Sequence, residues 1–251
     1  MSTSATPAPH PTPESVAEFR ENLDAVRARI DAAAQRAGRD ASEIRLLPVS
    51  KTVPSERLRL AIEAGMTGLG ENKVQEVSRK AQELSDLDLH WAVIGPLQTN
   101  KARDVARYAH EFQALDRIKV AEALERRLEA EDRTLDVYVQ VNTSAEEAKS
   151  GLNPDELPEF LATLPQFSRL RVRGLMTLAV HSEDVEQVRG CFQLLRQLRD
   201  DARESTPELI GPGELSMGMS GDFELAIAEG TNVVRVGQAI FGARPVLPKQ
   251  K

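Results

Sequence analysis

The chain has 251 residues, of which 41% are hydrophobic, enough to bury one large core or the cores of two small domains. Its formal net charge of −7 argues against a basic face for nucleic acid, and no apolar stretch approaches the roughly 18 residues of a membrane-spanning helix. Because the N-terminus lacks the basic and apolar regions of a signal peptide, we expect a cytoplasmic protein.

Metal and disulfide chemistry have little support in the sequence. Cys191 is the only cysteine, so neither an intrachain disulfide nor a metal site built from cysteines can form. The four histidines, His10, His90, His110 and His181, do not have the spacing of metal ligands. We therefore predict no metal site.

The chain begins with a segment rich in Pro, Ser and Thr. We predict a disordered tail over residues 1–13 and one domain over residues 14–247. Apolar residues then recur at helical spacing from Val16 to Ala37, and Gly38 is a typical helix stop. An extra N-terminal helix over residues 13–37 is therefore predicted before the first strand.

Short apolar runs alternate with amphipathic stretches over the rest of the chain, with no linker between them. The predicted strands are 44–50, 67–70, 89–94, 111–115, 135–141, 171–175, 214–217 and 232–236. The predicted helices between them are 55–64, 73–84, 101–108, 117–131, 154–164, 183–203 and 221–229. Eight β/α steps in a chain of this length favour an α/β fold with a single (β/α)8 TIM-type barrel over a doubly wound open sheet.

Lys51 lies at a predicted strand-to-helix junction. It follows an apolar run that includes Leu47 and Val49, and Pro54 after it suits the first turn of a helix. A lysine that is desolvated at such a junction can attack an aldehyde. The alternative is a lysine whose ammonium simply extends from the strand end into water.

Polar residues follow each predicted strand. Because barrel active sites form at the C-terminal ends of the strands, we expect these residues to share one mouth. They are Lys51, Glu71 with Asn72, Gln98 with Asn100, Asp116, Asn142, Met176 with Thr177, Ser216 with Ser220, and Arg235 with Gly237. Some of these side chains, Asn72, Asn142 and Asp116 among them, could instead cap helices.

The loops after strands seven and eight have the features of a phosphate site. Ser220 and Gly221 lie where strand seven runs into a helix, and exposed backbone amides at a helix N-terminus favour an anion. Gly237 and Gln238 follow strand eight, whose loop usually shares the phosphate site in barrels. The alternatives are that Ser220 only caps the helix and that Gly237 only forms a tight turn.

A phosphate site in the same barrel as a reactive lysine indicates pyridoxal 5′-phosphate, held as a Schiff base on Lys51 with its phosphate at Ser220, Gly237 and Gln238. An aldolase-like barrel with a lysine Schiff base and no coenzyme remains an alternative. Arg235 is placed to face the pyridine nitrogen, where its charge would oppose protonation of the ring and weaken the cofactor as an electron sink.

With these residues the chain resembles the YggS/PROSC family of pyridoxal phosphate homeostasis proteins, which are related to the barrel domain of alanine racemase. The resemblance runs from about Ile44 to Arg244. The motifs that carry it lie at 49–52, 70–76, 90–101, 141–142 with Glu146, Lys149 and Gly151, 174–177, 215–220 and 234–242.

The resemblance implies a barrel of the fold-type III class that binds pyridoxal phosphate, with the cofactor on Lys51. It also implies that Asn72 and Met217 line the ring, that Arg235 faces the ring nitrogen, and that Ser220, Gly237 and Gln238 hold the phosphate. The chain departs from the family pattern at two positions. Lys73 stands where the family often has tyrosine, and Gln238 stands where it often has a small residue or threonine.

The function implied by the resemblance is that of a carrier and regulator of pyridoxal phosphate, not an enzyme, with apoenzymes that depend on the cofactor as partners. Alanine racemases complete their site with a tyrosine from a second domain, which we do not expect here. Tyr108 and Tyr138 fall in a helix and a strand, where core packing or a surface hydroxyl is their expected role. A small racemase-like enzyme acting on amino acids remains the alternative.

Two further expectations concern assembly and additional cofactor contacts. A complete barrel without an evident dimer motif favours a monomer. Lysines near the strand ends could act as additional amines, besides Lys51, that capture free cofactor. These are Lys73, Lys80, Lys101 and Lys149.

Overall fold

Eight parallel strands alternate with helices along the chain, after one additional N-terminal helix. The computed structural model describes residues 11–146 and 149–243. The strands are β1 (Arg45–Pro48), β2 (Gly68–Glu71), β3 (His90–Val93), β4 (Glu111–Leu115), β5 (Leu135–Gln140), β6 (Leu170–Met176), β7 (Glu214–Met219) and β8 (Val233–Val236). The helices are α1 (Val16–Arg36), α2 (Ser55–Glu63), α3 (Val74–Glu83), α4 (Ala102–Tyr108), α5 (Ile118–Ala130), α6 (Leu157–Thr163), α7 (Val185–Ser205), α8 (Phe223–Ala228) and α9 (Gln238–Phe241).

Each predicted strand and helix is confirmed, with ends that shift by a few residues. The short helix α9 directly after β8 is not predicted by the sequence pattern, because four residues are too few to show a helical period. Most of the predicted tail, His10 and the end of the predicted domain at 244–247 lie outside the described residues.

The strands close into a barrel. Neighbouring strands follow chain order from β2 to β8, and β8 pairs in parallel with β1. Val49, just beyond β1, bridges Gly70 of β2, and the Ser50 N–H donates to the Gly70 carbonyl at 3.0 Å. The first and second strands therefore meet, which confirms the (β/α)8 barrel and excludes the doubly wound open sheet.

Helix α1 packs on the outside of the barrel against α2, α8 and α9. It begins with a capping box, in which Ser15 Oγ accepts from the Glu18 N–H and the Glu18 carboxylate accepts from the Ser15 N–H. The buried ring of Phe19 meets Phe241 edge-on, with ring centroids 5.9 Å apart. Burial of a side chain of this size contributes about 1.5–3 kcal/mol to the free energy of unfolding, so the packing of α1 stabilises the barrel.

The N-terminal ends of the strands carry a layer of paired polar side chains. Arg45 donates to Glu111 at 2.7 Å, and the Tyr138 hydroxyl donates to Glu214, whose other oxygen accepts from Arg173 at 2.5 Å. Burial and the nearby Glu111 carboxylate raise the pKa of Tyr138 above its ordinary value. These side chains line a cavity of about 580 Å³ at the end of the barrel opposite Lys51.

His110 lies near this end of the barrel and stacks on His90, with ring centroids 4.7 Å apart. Its Nδ1 accepts the Trp91 N–H at 3.2 Å, which requires an unprotonated nitrogen. Burial, the neighbouring His90 and the cationic Arg133 all lower the pKa of His110 below the ordinary 6.5. The folded protein therefore favours the neutral ring.

We predict that the lowered pKa of His110 makes folding stability depend on pH. As the pH is lowered below about 6.5, the His110 ring takes up a proton in the unfolded chain before it does so in the folded protein. The free energy of unfolding therefore decreases as the pH decreases, by at most about 1.4 kcal/mol per pH unit from this group. H110N keeps an acceptor for the Trp91 N–H but cannot titrate, and should flatten this slope. Urea unfolding between about pH 5 and about pH 8 measures the effect.

The matched control is H181N, because His181 is an exposed histidine. This variant should keep the wild-type slope of stability against pH. An H110N protein whose stability changes with pH as steeply as that of wild type would contradict the assignment.

Candidate functional site

The predicted ligand-binding residues come from four strands that are consecutive around the barrel, in the order β2, β1, β8 and β7. The residues in and after these strands are Lys51 at β1, Asn72 at β2, Met217 and Ser220 at β7, and Arg235, Gly237 and Gln238 at β8. The C-terminal ends of neighbouring strands share one edge of the barrel. The residues therefore belong to one arc of the mouth, whereas Gln98, Asp116 and Asn142 follow strands of the other arc.

Lys51 lies in a tight turn between β1 and α2. The turn is closed by the Val53 N–H, which donates to the Ser50 carbonyl at 3.0 Å. Thr52 follows Lys51 with a φ of +68°, a left-handed conformation that is unfavourable for a β-branched residue. Lys51 itself is half-buried. Helix α2 begins at Ser55, as predicted, and Pro54 is its N-cap.

A buried ion pair lies beneath this turn. Lys80 Nζ, on α3, donates to Glu71 Oε1 at 2.5 Å and to the Ser50 carbonyl at 3.0 Å, and Ser50 Oγ donates to the same Glu71 oxygen at 2.7 Å. All three residues are fully buried. We call these residues the Ser50–Glu71–Lys80 cluster. Burial raises the pKa of Glu71 in spite of the opposing charge of Lys80.

This cluster was not expected from the sequence, although a signal for Lys80 exists. Lys80 follows Val74 and Val77 at three-residue spacing, which places it on the buried face of α3. Its burial and its ion pair make it unsuitable as an amine that captures free cofactor. Of the other lysines considered for that role, Lys73 is exposed, and Lys149 is half-buried beside Glu146 at 2.7 Å.

Asn72 is exposed at the end of β2, and its backbone is in close contact with Gly95 after β3. A Cβ on residue 95 would lie 2.2 Å from the Asn72 carbonyl oxygen, a distance that no side chain can occupy. Glycine at position 95 therefore allows the loop that carries Asn72 to pack against the next strand. Lys73, not Asn72, is the N-cap of α3, so Asn72 does not serve as a helix cap.

The loops after β7 and β8 are in direct contact at the predicted phosphate end. The Gly237 N–H donates to Ser220 Oγ at 3.2 Å. A Cβ on Gly237 would lie 3.2 Å from the Val49 carbonyl, so the end of β8 also closely approaches the end of β1 beside Lys51. Gln238 is exposed and begins α9. The structure thus brings Ser220 and Gly237 together and places both near the Lys51 turn.

Arg235 is buried inside the barrel, below the mouth. Its guanidinium donates to Ser216 Oγ at 2.6 Å and to the Thr177 carbonyl at 2.7 Å. Burial lowers the pKa of Arg235 to about 10, partly opposed by the carboxylates of Asp222 and Glu111. The side chain therefore still carries its charge at neutral pH, in an orientation held by two acceptors.

The two methionines of the β7 segment have different environments. Met217 is fully buried, and its N–H donates to Thr231 Oγ1 at 3.2 Å. Met219 is 40% exposed at the end of the strand. The pairing register of β7 with β8 shifts between Ser216 and Met219, so side-chain alternation does not continue through this segment. Contact between Met217 and a cofactor ring stays a prediction.

Within residues 11–146 and 149–243, no three His, Cys, Asp or Glu side chains are grouped as ligands for a metal ion. Over those same residues, no helix has the length and apolar character that crossing a bilayer requires.

The family model for the alanine racemase N-terminal domain matches residues 22–245. A pyridoxal phosphate homeostasis protein of Pseudomonas aeruginosa is 43% identical over 224 residues, which cover 89% of this chain and 95% of that protein. The chain belongs to the pyridoxal phosphate homeostasis protein family. Its resemblance to the YggS/PROSC proteins is thereby confirmed.

Solved structures agree with this family membership. PipY of Synechococcus elongatus PCC7942 with pyridoxal phosphate bound is 32% identical, with a TM-score of 0.78 and coverage of 89% of this chain and 100% of PipY. An alanine racemase of Clostridium difficile 630 has a TM-score of 0.70 at 15% identity, covering 96% of this chain and 60% of that one, which shows a shared fold. Homeostasis proteins of this family therefore share the barrel of alanine racemase.

We predict that Gly95 is required for the packing of the Asn72 loop. G95A should lower the free energy of unfolding by about 1–3 kcal/mol, because the new methyl group overlaps the Asn72 carbonyl. G190A is the control, since Gly190 lies within α7 and has no neighbouring atom within 4 Å of the place a methyl group would take. It should stabilise the protein by about 0.5–1 kcal/mol. Urea unfolding compares the two, and a G95A protein as stable as wild type would contradict the prediction.

Proposed function

We propose that this protein binds pyridoxal 5′-phosphate reversibly through Lys51 and acts in pyridoxal phosphate homeostasis as a carrier and regulator. The observation that carries the proposal is the arc of the mouth, where the half-buried Lys51 turn adjoins the contact between Ser220 and Gly237. The names of the family members and the cofactor bound in PipY support it.

The groups on this arc fit the cofactor. The amine of Lys51 supplies the nucleophile that holds the aldehyde as a Schiff base, with loss of water. Ser220 and Gln238 provide a hydroxyl and an amide for the phosphate. Gly237 orients the Ser220 oxygen through its N–H, and its lack of a side chain leaves room for the phosphate. Asn72 and Met217 are assigned to the ring on the strength of the family resemblance.

Arg235 is assigned to the pyridine nitrogen. Bound pyridoxal phosphate can withdraw electrons from a substrate when its ring nitrogen is protonated. A guanidinium facing that nitrogen disfavours the protonated ring because two positive charges would meet. The two acceptors that hold Arg235, Ser216 and the Thr177 carbonyl, keep this charge in place. The arrangement favours binding over turnover.

The positions of the two tyrosines support a role that is not enzymatic. Tyr138 is paired with Glu214 at the N-terminal end of the barrel, and the Tyr108 hydroxyl accepts from Gln82 at 2.8 Å near the end of α4. Because both lie away from the mouth, neither supplies the second acid–base group that a racemase needs opposite Lys51. Transfer to apoenzymes, a monomeric state and a cytoplasmic location stay predictions.

We predict that pyridoxal phosphate produces a visible absorption band with the wild-type protein. K51A should lose this band and bind the cofactor more than about tenfold more weakly, because the covalent attachment is gone. Spectrophotometric titration measures the affinity, and borohydride reduction followed by peptide mass mapping should locate the adduct on Lys51.

K119A is the matched control, since Lys119 is an exposed lysine in the first turn of α5, at the same end of the barrel. It should keep the band and the affinity. A wild-type protein that stays colourless with excess pyridoxal phosphate would overturn the proposal, and so would a K51A protein that binds like wild type.

A separate prediction distinguishes a carrier from an enzyme. The protein loaded with pyridoxal phosphate should restore the activity of an apoenzyme that depends on this cofactor, without measurable racemisation of alanine. Enzyme reactivation and chiral analysis of the amino acid are the two measurements. Racemisation that disappears in K51A would instead establish the racemase-like function.

A further inference from the structure

The peptide that joins Ser50 to Lys51 is held by an unusual number of contacts. The Ser50 N–H donates to the Gly70 carbonyl at 3.0 Å, and Ser50 Oγ donates to Glu71 at 2.7 Å. The Ser50 carbonyl accepts both from Val53 N–H at 3.0 Å and from Lys80 Nζ at 3.0 Å. All hydrogen-bonding groups of Ser50 are therefore engaged immediately before Lys51.

The turn after Ser50 requires this support. Thr52 has a φ of +68°, and a β-branched residue in that conformation is strained. Such strain persists only where the surrounding structure holds the backbone in place. The backbone of Lys51 is therefore placed between the held Ser50 and the strained Thr52.

Fold stability alone does not explain why a charged residue occupies position 80. Lys80 and Glu71 are both fully buried, and a buried ion pair commonly stabilises a fold no more than a well-packed apolar pair would. Glu71 Oε1 accepts two of the cluster's three hydrogen bonds, while Oε2 has no hydrogen-bond partner within the described part of the chain. Glu76, the other carboxylate near Lys80, lies 3.6 Å from its Nζ.

We propose that Lys80 and Glu71 are positioning residues for Lys51. Lys80 holds the Ser50 carbonyl, Glu71 holds both Lys80 and the Ser50 hydroxyl, and together they orient the turn so that the Lys51 amine meets the cofactor aldehyde. The inference rests on the proposed function, because it assigns Lys51 as the attachment site.

The test compares pyridoxal phosphate with pyridoxamine phosphate, which has the same phosphate and ring but no aldehyde. K80M removes the donor to the Ser50 carbonyl and leaves Glu71 as a lone buried carboxylate, so it should lose both stability and affinity for pyridoxal phosphate. The double variant E71Q/K80M removes the lone charge and should regain much of the stability. Its affinity for pyridoxal phosphate should stay about tenfold below wild type, with slower formation of the visible band.

The affinity for pyridoxamine phosphate separates positioning from a general loss of structure. Because this compound cannot react with Lys51, E71Q/K80M should bind it within about twofold of wild type. S50A, which removes only the hydroxyl donor to Glu71, should show the same selective loss to a smaller degree. It provides a folded protein for the comparison if the Lys80 variants do not fold.

E229Q is the control for damage to a buried carboxylate and its ion pairs elsewhere in the protein. Glu229 is buried and bonded to Arg189 at 2.8 Å and Arg196 at 2.9 Å, on the helices outside the barrel. This variant should lose stability while keeping the wild-type ratio of affinities for the two compounds.

The possible results separate this inference from the proposed function. An E71Q/K80M or S50A protein that binds pyridoxal phosphate as wild type does, or that loses affinity for both compounds equally, would overturn the positioning role. Absence of a visible band in the wild-type protein would instead refute the proposed function itself.

Discussion

The pairing of β1 with β2 on one side and with β8 on the other is the constraint on which the site depends. Val49 takes part in both pairings, since its N–H donates to the Val236 carbonyl at 2.8 Å and it bridges Gly70. The backbone is therefore fixed by the sheet up to the start of the Lys51 turn. Glycine at positions 70 and 237 lets the neighbouring strands approach, because a Cβ would lie 3.3 Å from the Leu47 side chain at position 70 and 3.2 Å from the Val49 carbonyl at position 237.

The same closure creates an interior that is more polar than is usual in barrels of this type, where branched apolar side chains dominate. Hydrogen bonds run from Arg235 through Ser216 and Gln113 to Glu111 and then to Arg45. Arg235, Ser216, Gln113 and Glu111 are buried, and because each has a partner, the cost of removing it from water is offset. The orientation of Arg235 below the mouth is thereby linked to ion pairs at the opposite end of the barrel.

Much of the fold was predictable because strand and helix periods are local properties of the sequence. The barrel followed from counting the strands, and its mouth followed from the rule that parallel strands end on the same side. What a local pattern cannot provide is contact across strands. The pairing of Lys80 with Glu71 depends on α3 folding back against β2 and β3. The separate environments of Met217 and Met219 depend on a register shift that alternation does not predict.

A barrel related to that of alanine racemase can serve as a carrier because carrying a cofactor requires fewer groups than racemisation does. Reversible capture of an aldehyde requires only a placed amine and an anchor for the phosphate, and both requirements fall on the arc from β1 to β8 and β7. Racemisation additionally requires an electron-withdrawing ring and a second acid–base group. In the proposed function, Arg235 opposes the first of these requirements through its positive charge, which two acceptors hold in place. The second is not met by either tyrosine, since Tyr138 is bonded to Glu214 at the far end of the barrel and Tyr108 to Gln82 beside α4. The groups that the proposed function assigns to this arc are thus suited to holding a cofactor.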